Sequence, residues 1–195
     1  IGAGGASGSS SAGTDFVTYN PPTGAVNGLR PLLASEYAAA PAANVNLRLT
    51  ANRVADDTVS INSLLLSGGV TYDHDATGAA NTLTIASGNV LSVGGTNMIQ
   101  PTQATGTVAF GATDAKVFTV SDLVLGSNAQ VTGTGILGKA GSGVLQENRS
   151  VARTGGIVVN AGTLRSSINN AFASQAMTVR AAGALNLNGF NNTVS

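Results

Sequence analysis

The chain has no cysteine and no tryptophan. Without cysteine there are no disulfides and no thiolate metal sites, and either redox compartment remains open. Three tyrosines and five phenylalanines leave few large aromatic anchors for a compact core or a sugar-stacking platform. Charge is scarce as well: 9% of residues are charged, against about 25% in an ordinary globular domain. The nine basic and nine acidic side chains cancel. There is therefore no clustered basic footprint for nucleic acid, and no polybasic patch for an anionic membrane surface. Long apolar runs are also missing. Ser63-Leu-Leu-Leu66 and its like stop at serine and glycine, far short of the ~20 residues of a spanning helix, so direct membrane insertion is not expected.

What fills the chain instead is glycine, 26 residues of it, with serine, threonine and asparagine supplying solubility. Such a chain turns often, and its composition fits an exported bacterial protein. It opens at Ile1 without a signal peptide and closes at Asn191-Asn-Thr-Val-Ser195 in mid-pattern, as expected of a piece of a longer chain. Residues 1–13 are almost wholly Gly, Ala and Ser and read as a flexible lead. Residues 14–57 read as an irregular segment, placed to cap the regular region that begins near residue 58. Within it, Asn20-Pro-Pro-Thr-Gly24 is a turn. The stretch Arg30 to Pro41 is open between one short helix after Pro31 and irregular coil.

From about residue 58 to 195 the pattern becomes regular. A small residue, any residue, then an aliphatic recur at Gly68-x-Val70, Gly88-x-Val90, Gly106-x-Val108, Ala129-x-Val131, Gly143-x-Leu145, Gly162-x-Leu164 and Gly183-x-Leu185. Successive anchors lie 14 to 23 residues apart. Between them run alternating stretches of strand length, such as Leu83-Thr-Ile85, Val90-Leu-Ser-Val93, Val117-Phe-Thr-Val120 and Leu123-Val-Leu125. A period of roughly 20 residues built from short strands and glycine corners predicts a solenoid. Each coil has too little apolar surface to fold alone and buries it against its neighbours. The expected fold is all-β: a right-handed, single-stranded parallel β-helix with an irregular N-terminal segment. An antiparallel sandwich is disfavoured because Asn27-Gly28 and Asn188-Gly189 do not separate paired alternating strands.

Residues 133–195 carry a more specific pattern. Gly133, Gly135, Lys139, Gly141, Gly143 and Leu145 form one element. Thr154, Gly155, Gly156, Val159, Gly162 and Leu164 form a second, and Leu185, Leu187, Asn188, Gly189, Phe190, Asn191 and Thr193 a third. In this order they resemble the autotransporter-associated β-strand repeat, also called the passenger-associated transport repeat. Ile157 stands where that family usually has threonine, and Gln146 to Arg153 replaces its usual tyrosine-bearing linker. The resemblance implies a non-enzymatic β-helical stalk of a large exported surface protein, extracellular or on the cell surface, whose repeat assists secretion and folding. Its implied partners are adjoining coils of the same chain and an outer-membrane β-barrel translocator. The alternatives are an adhesin or module binding cell-surface glycans and, last, a carbohydrate-active β-helix enzyme.

The residues suggest no catalytic, cofactor-binding or metal-binding site. Asp73-His74-Asp75, holding the only histidine, could offer ligands to a divalent ion. It reads better as a solvated turn before Thr77-Gly78. Asp56-Asp57 are adjacent, and alternation sends them apart; a glycosidase pair needs a cleft between its carboxylates. Lys139 lies in a glycine-rich stretch but is followed by Ala140, not by the Ser or Thr of a phosphate loop; a β-helix corner is expected there. Arg165 and Arg180 alternate with aliphatics and should face water. Asn148-Arg-Ser150 matches a glycosylation acceptor that is frequent by chance.

Overall fold

A computed structural model describes residues 14–20, 28–78, 80–103, 106–150, 152–172 and 175–194. The lead at 1–13 and most of the turn expected at Asn20–Gly24 lie outside the described residues. The chain winds into a parallel β-solenoid of about six turns, with fifteen strands in one continuous ladder.

Three faces, here A, B and C, make up each full coil. Face A is stacked from Asn46–Leu49, the later part of Val59–Ser67, the later part of Thr82–Val93, Ala115–Thr119, Leu137–Ala140 and the starts of Ile157–Ser166 and Met177–Asn186. Face B continues through Arg53–Val54, Thr71–Asp73, Asn97–Ile99, Leu123–Leu125, Val144–Glu147 and the ends of the last two strands. Face C runs through the starts of Val59–Ser67 and Thr82–Val93, then Thr107–Ala109, Gln130–Gly133 and Ala152–Arg153. Every one of these pairings is parallel and joins a coil only to its neighbours. Parallel stacking reaches back to Asn46, ahead of the point near 58 where the sequence becomes regular.

Alternation decides what is inside. On face A the register stacks Leu47, Leu64, Val90, Val117, Lys139 and Val159. All are 3% exposed or less, and the five aliphatics among them form the core with Leu83, Val108 and Val131 of face C and Leu123, Leu145 and Leu164 of face B. Two residues per face and coil thus suffice, because each column is continuous from coil to coil. Corners need glycine where two backbones cross closely. At Gly162 φ is +69°, and a Cβ would lie 2.2 Å from the Gly141 carbonyl oxygen; only glycine fits. Asn97 fills another corner from inside. Its Oδ1 accepts from the Gly69 and Val70 amides, and its Nδ2 donates to Ser92 Oγ and the Val93 carbonyl.

The two readings left open for Arg30 to Pro41 resolve toward irregular structure. A hairpin pairs Val17–Asn20 with Gly28–Pro31, a single 3-10 turn covers Ala34–Glu36, and Ala38 bridges in parallel to Leu47 ahead of the first coil. The Arg30 guanidinium grips Glu36, whose carboxyl also accepts from the Leu33 amide.

Candidate functional site

The acidic corner singled out in the sequence is buried, not solvated: Asp73 is 4% exposed, His74 and Asp75 are 0%. It closes the strand Thr71–Asp73 at a place where three coils meet. Thr102 donates through its hydroxyl and its amide to Asp73, and the Asp75 amide does so as well. Asn81 Nδ2 reaches both Asp75 and Asp56 at 3.2 Å. Asp56 further accepts from the Ala76 and Thr77 amides, while its neighbour Asp57 pairs with Arg53 and takes the Tyr72 hydroxyl. The adjacent carboxylates thus belong to separate networks. His74 lies edge-on to Tyr72, with Nε2 3.1 Å from the Thr107 carbonyl oxygen and Nδ1 buried without a partner among the described residues. Burial pushes the imidazole pKa below its ordinary value. Among the described residues no three His, Asp or Glu side chains form a metal-holding group. Apart from His74 Nδ1, these donors and acceptors are taken up in tying coils together.

The coil spanning 137–153 turns three charged side chains inward, of which sequence analysis singled out Lys139 alone. Lys139 is not at a corner but on the strand Leu137–Ala140, in register with Val117 and Val159 and fully buried. Its ammonium reaches the adjoining corner from inside, donating to the carbonyls of Ala140, Gly141 and Ala161 at 2.9 to 3.0 Å. Burial pulls its pKa to about 8, against the opposing charge of Asp122. Glu147 on face B stacks between Leu125 and Ser166, and burial pushes its carboxyl to about 7 while Arg153 pulls it back. Arg153 enters the interior from face C. It donates through Nη2 to Gln175 Oε1, and Gln175 Nε2 returns a bond to its carbonyl; Nε and Nη1 have no partner among the described residues. Glu147 and Arg153 both lie in the linker that departs from the repeat pattern, and that departure was their only trace in the sequence. Enclosed by coils, these groups have no access to an outside substrate. Arg180 is exposed, as expected, but Arg165 is half-buried across Gln146 of the preceding coil.

The open concavity of interest lies on the outside of face A. Outward-facing Leu65 and Leu91 are 0% exposed because Phe16 and Tyr37 of the N-terminal segment pack across them, forming a second core with Val93. Tyr37 fastens this strap: its hydroxyl donates to Asp15 at 2.6 Å and accepts the Phe16 amide at 3.2 Å. The segment expected to cap the coils therefore covers their flank. Between the strap and face A runs a groove of about 510 Å³, within the 300–1,000 Å³ range of small-molecule sites. Phe16, Val17 and Leu32 form one wall, and Asn89, Lys116 and Phe118 contribute to the floor.

Over 143 residues the chain is 33% identical to the "Adhesin BmaC autotransporter" of Brucella suis biovar 1 (strain 1330). That stretch is 72% of this chain and 4% of the relative, so the chain spans a small part of its length. No protein-family model matches the chain, and no solved structure matches it significantly.

Proposed function

We propose that this chain is a segment of the passenger of an exported, autotransporter-type bacterial surface protein, and that it serves there as a rigid, non-enzymatic stalk. The observation that carries the reading is the unbroken inward column from Leu47 to Val159, paired coil to coil with no interruption. The similarity to part of an autotransporter adhesin supports the same context. The surroundings of the titratable groups support a non-enzymatic role, since Asp73, His74, Asp75, Lys139, Glu147 and Arg153 are all enclosed. A β-barrel translocator in the outer membrane is the partner this reading requires. Coils at the C-terminal end would fold first on emergence and template those behind them, which is how the repeat would assist secretion.

The test places the segment between a signal peptide and a β-barrel translocator in an outer-membrane host. Deleting residues 137–156 removes one whole coil in register, joining face A to face A, and should preserve surface display and protease resistance. Deleting 137–146 misaligns every later column and should abolish both. Equal display and equal resistance of the two deletions would refute a role that depends on continuous winding.

A further inference from the structure

We propose that the groove between the N-terminal strap and face A binds a neutral, linear glycan lying along the solenoid axis. The first observation is Gly138. It sits inside the strand Leu137–Ala140, where glycine costs stability and offers no side chain to pack. Neither steric crowding nor a left-handed backbone requires it: a Cβ there would meet nothing nearer than 3.8 Å. Its register partners on the outer surface are Lys116 and Val158. Glycine at this position keeps the groove open, and a strand glycine without a backbone reason marks close approach by something else.

The second observation is the chemistry of the lining. Asn62 and Asn89 present carboxamides from adjacent levels of the stack, and Asn160 adds a third from three levels further on. An amide offers donors and an acceptor together, the combination that hydroxyl groups require. Asn62 is itself oriented by a 2.6 Å bond from its Nδ2 to Asn46 Oδ1, so that its oxygen is the group left to serve as an acceptor. Phe118, half-buried on the floor, supplies an apolar face for sugar C–H groups. Among the described residues of the lining Lys116 is the sole charged one, too little for a polyanion.

The third is spacing. Neighbouring strands lie about 4.8 Å apart, close to the advance of one pyranose along an extended glycan. Successive sugars can therefore meet successive levels with repeated contacts. An extended peptide is less well served. The strands of face A already commit their backbone groups to the ladder between coils, and the adjoining hairpin strand is four residues long.

The experiment uses the purified whole chain, so it stands independently of the export reading. A printed array of uncharged linear oligosaccharides, sulfated polyanions and extended peptides is screened first. Retained ligands then go to calorimetry with wild type, Gly138→Val and Phe118→Ala. The expected result is retention of one or more uncharged glycans, insensitive to salt, with at least about tenfold weaker binding in both variants. Gly138→Val should keep its thermal unfolding temperature, so that lost binding cannot be lost folding. Retention of polyanions or peptides alone, retention of nothing, or glycan binding indifferent to Gly138→Val would each overturn the proposal.

Discussion

Two coils of this solenoid solve the same packing problem with opposite materials. The coil spanning 63–85 is lined by Leu64, Leu66, Tyr72, Leu83 and Ile85, each fully buried, and its buried polar groups other than Ser63 sit at one corner. The coil spanning 137–153 turns one charged residue inward from every face: Lys139 from A, Glu147 from B and Arg153 from C. It also belongs to the tighter part of the winding. On face A, Leu64, Val90 and Val117 stack at intervals of 26 and 27 residues, and Lys139, Val159 and Val179 at intervals of 20. The stretch most regular in sequence is therefore not the most apolar inside. A short coil brings its corner carbonyls within reach of a side chain on the strand, and those carbonyls can hold a cation.

The sharpest way to break the comparison is to remove apolar contact from the first coil. Leu64→Ala should lower the unfolding free energy by about 2–5 kcal/mol in urea titration, the usual cost of a cavity in a filled core. A loss below that range would mean that the column closes around the gap. In the charged coil, Lys139→Met keeps the volume but leaves three carbonyls without their donor. The expected loss is about 1–3 kcal/mol. A stabilised variant would show that the ammonium costs more to bury than its bonds return.

Titration separates the coils further. The Glu147 carboxyl protonates near 7 when folded and near 4.5 when free, so folding takes up a proton between these values and stability falls as pH rises through them. His74 acts oppositely: its folded pKa lies below 6.5, so stability falls as pH drops below 6.5. Urea unfolding at pH 5, 6 and 7 should show that Glu147→Gln removes a decline of at most about 1.4 kcal/mol per pH unit and leaves the rise set by His74. An unchanged pH profile in Glu147→Gln would place the titrating group elsewhere. The smallest effect belongs to Val179→Asp. Alternation places Val179 on the inward column, but in this chain it is 44% exposed. The variant should cost under about 1 kcal/mol here, and more once a further coil is appended. A large loss in the present chain would show that the last strand is already covered.

Winding, strand positions and much of the interior were legible because alternation and glycine corners repeat in the chain itself. The register was only partly legible. Gly143-x-Leu145, Gly162-x-Leu164 and Gly183-x-Leu185 do share face B. Gly88-x-Val90 falls on face A, and Gly106-x-Val108 and Ala129-x-Val131 on face C. A small residue before an aliphatic announces any strand after any corner, so the motif cannot tell faces apart. The burial of Asp73-His74-Asp75 was hidden for a related reason: its partners Asp56, Asn81 and Thr102 lie one coil away or at the far side of the same turn. The groove was not legible, because it exists only where residues 14–20 and 28–38 fold back over outward positions of later coils. Phe118 looked like one of a few scattered aromatics until that strap gave it a neighbour.

The hydrogen bonds between coils run along the long axis of the rod. Tension applied at its two ends pulls on them lengthwise and concentrates at the terminal coil, so the ladder opens one rung at a time instead of shearing all at once. Each coil that lets go frees about 20 residues, on the order of 60–70 Å of extended chain. Under the drag of flowing liquid such a rod would hold its length until the terminal coil yields, then release chain in steps and rewind when the pull relaxes.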